Sequence, residues 1–208
     1  RQPVELDVLV SLHQAAGGEH GAVQLTQPDL AQHGLVVAHV ASHSGAEDAI
    51  DVGIDGLVHV FADQPAEDAL VQLAADRGVF VTPTLTVLQS AASEPGNGTL
   101  IEDESIAPWL TPDDAASLQS SFPRQPGSRI DFAAAKQSVR RLHAAGVPIL
   151  AGSDAPNPGT LHGVSLHREL QLLVESGLTP AAALTAATAA PATAFKLEDR
   201  GRIAAGMR

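Results

Sequence analysis

Nine histidines stand in a chain of 208 residues that has no cysteine and only two lysines, Lys136 and Lys196. Two of them, His39 and His59, lie at the ends of short, nearly all-apolar runs, Gly34 to Val40 and Gly56 to Phe61. A third run, Gly78 to Thr86, carries Thr82 and Thr84 at its end, and a fourth, Gly146 to Asp154, closes on a carboxylate. Imidazole nitrogen and carboxylate oxygen are the donors left to a divalent cation once thiolates are gone. A catalytic zinc takes three such donors and keeps one position for water. The ion acidifies that water, and a neighbouring carboxylate can accept the proton. A histidine at a strand end can equally be a hydrogen-bonded structural residue. On spacing alone, both readings stand.

Other chemistries find less support. The lack of cysteine removes disulfides, thiolate zinc sites, iron–sulfur clusters and cysteine nucleophiles together. Ser153 has no nucleophile-elbow pattern around it. Gly17-Gly18 and Gly96-Asn97-Gly98 lack the strand–turn–helix setting of a phosphate loop. With 24 acidic against 12 basic side chains, the net charge of −12 offers no basic face to nucleic acid. The absence of Tyr and the single Trp109 make an aromatic stacking platform a poor expectation. No apolar run approaches the roughly 20 residues of a membrane span. No charged-then-apolar leader follows Arg1. The expectation is a cytoplasmic protein with a small-molecule substrate and neither a nucleic-acid nor a membrane partner.

The elements that must position these residues follow from the pattern of the runs. Continuous apolarity is what a strand buried on both faces requires, as in a parallel sheet covered by helices. Amphipathic, Ala-rich stretches over 45–52, 65–75, 133–145 and 163–176 alternate with the runs. The alternation predicts an α/β fold of about four βα units, with right-handed crossovers. Gly34, Gly56, Gly78 and Gly146 precede the runs, where a helix ends and the chain needs a positive φ. In such sheets ligands gather at the carboxyl ends of the strands, and His39, His59 and Asp154 would meet there. Residues 88–131, rich in Pro and Gly, predict an excursion or lid with a short helix after Thr111-Pro112. Thr179-Pro180 opens a last helix running to about Phe195. Val4–His13 reads as a helix, and the rest of residues 1–33 has no sustained period.

Several segments in order resemble the C-terminal part of the amidohydrolase superfamily, in its imidazolonepropionase-like and Xaa-Pro-dipeptidase-like branch. They are LVVAHVASHSGAEDAIDVGIDGLVHVF from Leu35, FVTPTLTVL from Phe80, the stretch from GVPILAGSDAPNPGTLHG at Gly146 to Phe195, and DRGRIAAGMR from Asp199. The likeness covers roughly residues 34 to 208. It implies a partial TIM-type (β/α)8 barrel: strands 5 to 8 in residues 34–198, then the start of a β-sandwich return in 199–208. It also implies a divalent metal, with zinc expected, held by His39, His59 and Asp154. Asp154 would double as the catalytic proton-transfer base, and His162 would face substrate. The strand-1 H-x-H pair of such enzymes has no counterpart in the sequence, and neither lysine falls at a strand end.

These implications give a metal-dependent hydrolase of an amide, cyclic amide or peptide-like C–N bond. The alternatives are a catalytically inactive half-barrel that serves as an assembly module, and an open-sheet small-molecule binder. A half-barrel leaves open strand edges, so pairing with a second half-barrel or with a copy of itself is the expected partnership.

Overall fold

The first three buried runs pair as expected of continuous apolar strands. The structure is a computed structural model and describes residues 9–11, 34–94, 97–123 and 130–208. Strands β1 (Leu9–Ser11), β2 (Val37–His39), β3 (Gly56–Val58) and β4 (Phe80–Thr82) form one parallel sheet in sequence order. Val37 lies opposite Gly56, and Gly56 opposite Phe80. Helices α1 (His43–Val52) and α2 (Asp68–Arg77) connect the strands. After β4 come α3 (Leu85–Ala91), two 3-10 turns at Asn97–Ile101 and Ala107–Trp109, and α4 (Pro112–Gln119). Helices α5 (Phe132–Ala144), α6 (Val164–Glu175), α7 (Pro180–Ala187) and α8 (Ala189–Ala194) complete the order. None of the described helices is long and apolar enough to cross a membrane.

Three expectations need correction. Leu9–Ser11, expected within a helix, is a strand paired with β2, because an open sheet edge supplies hydrogen-bond partners that outweigh local propensity. The run Gly146–Asp154 makes only an isolated bridge, Ile149 to Val81. Pro148 accepts from Val81 N but has no N–H to extend the ladder, and Ala151 N turns away to Ala186 O. The last helix breaks at Thr188 (φ −131°, ψ −81°), since the ring of Pro191 crowds the carbonyl four residues earlier.

The glycines divide by cause. Gly78 and Gly146 have positive φ of 66° and 83°, as expected. Gly56 does not, and the left-handed residue after α1 is Gly53. Gly56 is small for another reason: a Cβ there would lie 2.3 Å from the ring of Phe80.

The two faces of the sheet pack differently. Ala38, Leu57 and Val81 join Ile50, Leu70, Leu142 and Leu172 in the main core beneath the helices. Val37, Phe80 and Leu150 form a second cluster on the other face, with Phe195 set edge-on to Phe80 at 5.7 Å between ring centres.

The excursion is partly built as expected. Thr111 caps α4 in a reciprocal capping box with Asp114, and Pro112 is its first helical residue. Its first element, α3, is capped from outside. Glu169 of α6, fully buried, accepts from Leu85 N (3.0 Å), Thr86 N (2.8 Å) and Thr86 Oγ1 (2.7 Å). Burial pushes the Glu169 carboxyl up to about 7, against the opposing pull of those donors and of Arg168. A raised folded value means that the native state binds the proton more tightly than the unfolded chain does. The associated stability is complete below pH 4.5, the group's ordinary value, and falls away as pH rises through about 7. The expected loss is on the order of 3 kcal/mol. Urea unfolding at intervals from pH 4.5 to 8 should show this slope in the native protein and a flatter profile in Glu169→Gln. Equal slopes would contradict it.

Candidate active site

Three strand ends converge on one cavity. His39 is the last residue of β2, His59 follows β3 directly, and Asp154 lies beyond the Ile149 bridge. His39 and His59 pack edge to face with ring centres 4.4 Å apart. Asp154 Oδ2 stands 3.9 Å from His59 Nε2. His59 Nδ1 shares a 2.5 Å hydrogen bond with Thr84 Oγ1, from the turn after β4. The sequence-predicted trio is therefore brought together, and one of the two threonines at the β4 end joins it.

The backbone is held in unusual conformations where these residues sit. His59 (φ 65°), Thr84 (φ 50°) and Asp154 (φ 52°) all occupy the left-handed region. Non-glycine residues persist there only where surrounding contacts over-determine them, and such positions cluster at functional sites. His59 N is fixed to Thr82 O. Asp154 is fixed by Asn157, whose Nδ2 donates to the Asp154 carbonyl (2.6 Å) and to Oδ2 (3.1 Å).

Electrostatics sort the pair. Burial, helped by the neighbouring His39, lowers His59 to about 4. At neutral pH His59 is uncharged, so its approach to Asp154 is not an ion pair and it keeps a ring lone pair. Burial raises Asp154 above the ordinary aspartate value, with His39 pulling the other way. Together these make a neutral imidazole and a more basic carboxylate face to face.

The donor set fits a divalent cation in kind: two imidazoles and a carboxylate lining one cavity. Two atoms 3.9 Å apart, His59 Nε2 and Asp154 Oδ2, can both reach one ion at about 2.0–2.2 Å. The set is not a finished cage. Among the described residues, no three His, Asp or Glu side chains converge as a metal site.

The cavity has a volume of about 480 Å³. Besides the trio it is lined by Asp63 and by an apolar wall of Val87, Leu88 and Ala91 from α3, with Phe122 and Ile130 from the excursion. Asp63 accepts from His43 N. His43 is the first residue of α1 and packs on Phe61, which is the helix-start role its position suggests. His162 lies exposed in the turn before α6 and is not among the residues lining the cavity.

The excursion is stitched to the Asp154 loop. Gly159 N donates to Ser117 O and is also within 3.0 Å of Ser120 Oγ, and Ser90 Oγ donates to Pro158 O (2.6 Å). A Cβ on Gly159 would meet Ser90 Oγ at 2.6 Å.

Sequence reading missed Asp63 and Asn157. Asn157 had a local signal, the Asp154-Ala155-Pro156-Asn157 turn with asparagine three residues on. Asp63 had none.

Residues 10–208 match the sequence profile of the Amidohydrolase family. The chain belongs to that family. Solved structures share its fold at low identity. A Xaa-Pro dipeptidase with bound methionine matches with a TM-score of 0.58 and 21% identity, over 88% of this chain and 41% of its own. A putative prolidase from Bifidobacterium longum gives 0.61 and 23%, over 87% and 41%. Ochratoxinase from A. niger gives 0.57 and 24%, over 88% and 38%. This amidohydrolase chain thus spans about two fifths of the length of those structures. Among curated proteins, none matches it.

Proposed function

We propose that the protein is a metal-dependent amidohydrolase acting on an amide, cyclic amide or peptide-like C–N bond. The observation that carries the reading is the approach of His59 Nε2 to Asp154 Oδ2 at 3.9 Å, with His39 packed against His59. His39, His59 and Asp154 would hold the cation, zinc being the expected ion, and the cation would supply Lewis-acid activation of water. Asp154 takes the proton of the attacking water and returns it to the leaving nitrogen, a task helped by its raised basicity. His59, held neutral, presents a lone pair at physiological pH. The apolar wall of Val87, Leu88 and Phe122 excludes water and receives an apolar part of the substrate. His162 would contact only a portion extending beyond this cavity. The Xaa-Pro dipeptidase and the ochratoxinase to which the chain is similar place peptide-like C–N substrates first in a screen.

A second reading is favoured by one observation, the lack of three convergent donors among the described residues. In it the chain is a half-barrel without catalysis, an assembly or small-molecule-binding module whose open sheet pairs with another half-barrel or a second copy. Metal analysis separates the two. Protein purified without chelators should carry stoichiometric zinc, manganese or iron, and His59→Ala should lose it. No metal in either protein overturns the hydrolase reading in favour of the module.

A further inference from the structure

We propose that Glu169, which does not line the cavity, is a positioning residue for His59. The inference rests on the metal-site reading, since it concerns how one of the proposed ligands is aimed.

The start of α3 carries the argument. A helix normally satisfies its first N–H groups with the side chain of the N-cap residue, which is extended. Here that residue is Thr84, which is left-handed (φ 50°, ψ 46°) and makes no such bond. Its hydroxyl is turned to His59 Nδ1 instead. The capping task passes to Glu169, which arrives from α6 and accepts from Leu85 N, Thr86 N and Thr86 Oγ1. A single buried carboxylate thus holds both residues that follow Thr84, and holds the turn in the conformation that aims the Thr84 hydroxyl.

The chemistry at His59 follows from that aim. A metal-binding histidine is oriented by the hydrogen bond of its other ring nitrogen, which also fixes the tautomer. For Nε2, the nitrogen that faces Asp154, to present its lone pair to a cation, the ring proton must sit on Nδ1 and be donated to Thr84 Oγ1, 2.5 Å away. Glu169 is not among the residues lining the cavity, and its hydrogen bonds go to Leu85 and Thr86 rather than to the imidazole. A capping residue at position 84 itself would steady α3 equally well but would leave His59 Nδ1 without this partner. The outsourced cap is what frees Thr84 for the histidine.

The test reads the imidazole directly. Long-range 15N correlation spectra of the full chain at pH 7.5, without metal, should show His59 as a single tautomer protonated at Nδ1. Thr84→Val should turn this into a mixture, and Glu169→Gln should do the same while circular dichroism stays native. A helix-capping role alone would leave the tautomer unmoved in Glu169→Gln, and that result overturns the proposal. Should Glu169→Gln not fold, Thr86→Val, which removes one of the donors, is expected to shift the same signals; an unchanged His59 overturns the proposal there too. Zinc titration forms the second arm. Glu169→Gln should bind zinc about 10–100-fold more weakly than the native protein. If the native protein binds no zinc, the metal-site reading fails, while the tautomer comparison still decides the role of Glu169.

Discussion

Asp154→Asn is expected to lower hydrolysis roughly 10²–10⁴-fold, the range a positioned general base contributes. With zinc in excess, so that the neutral side chain does not empty the proposed cation site, the loss should fall on kcat, because asparagine keeps the size of the side chain and its hydrogen-bond acceptor while losing the ability to take a proton. Asparagine is also the informative replacement for the backbone. Asp154 sits at φ 52°, where asparagine is tolerated and most other residues are strained. Asp154→Ala would add a conformational cost to the chemical one. The assay takes the best substrate from a panel of Xaa-Pro dipeptides and N-acyl amino acids. Unchanged turnover in Asp154→Asn would remove Asp154 from proton transfer.

The largest effect on stability should come from the face of the sheet that carries Val37 and Phe80. Phe80 is buried against Gly56, Leu150 and Phe195. Phe80→Ala is expected to cost about 3–5 kcal/mol, the transfer of the ring plus the cavity it leaves. Gly56→Ala attacks the same contact from the other strand. Its new methyl would meet the ring at 2.3 Å, and overpacking of that kind costs about 1–3 kcal/mol. The two positions should therefore not be additive. Gly56→Ala should be much milder in a Phe80→Leu background, as read by urea unfolding of the four members of the cycle. An equal cost in both backgrounds would show that the glycine serves some other end.

Much of the sheet was legible because burial on both faces leaves a direct mark, the unbroken apolar runs around Val37, Leu57 and Val81. The ends of the apolar runs carry His39, His59 and Asp154, which line one cavity, since a parallel sheet collects its polar residues there. Other features were hidden for physical reasons. Leu9–Ser11 becomes a strand only because β2 offers an edge, which no local pattern announces. Gly56 looked like a helix terminator and is instead a seat for an aromatic ring from the next strand. Glu169 resembled any charged residue on an amphipathic helix; its partners lie more than 80 residues away and are mostly backbone N–H groups, which carry no sequence signature. His162 was assigned from likeness alone, and nothing in its exposed surroundings ties it to the cavity.

The ties from Gly159 to Ser117 and from Ser90 to Pro158 bear on how the cavity breathes. They join α3 and α4, the second of which leads directly to Phe122, to the loop that starts at Asp154. A displacement of α4 would pull on the loop that carries Asp154, so entry to the cavity and the placing of this carboxylate are mechanically geared to each other. Such ties make the shape of the opening beside Phe122, more than the swing of a hinge, the filter on what enters.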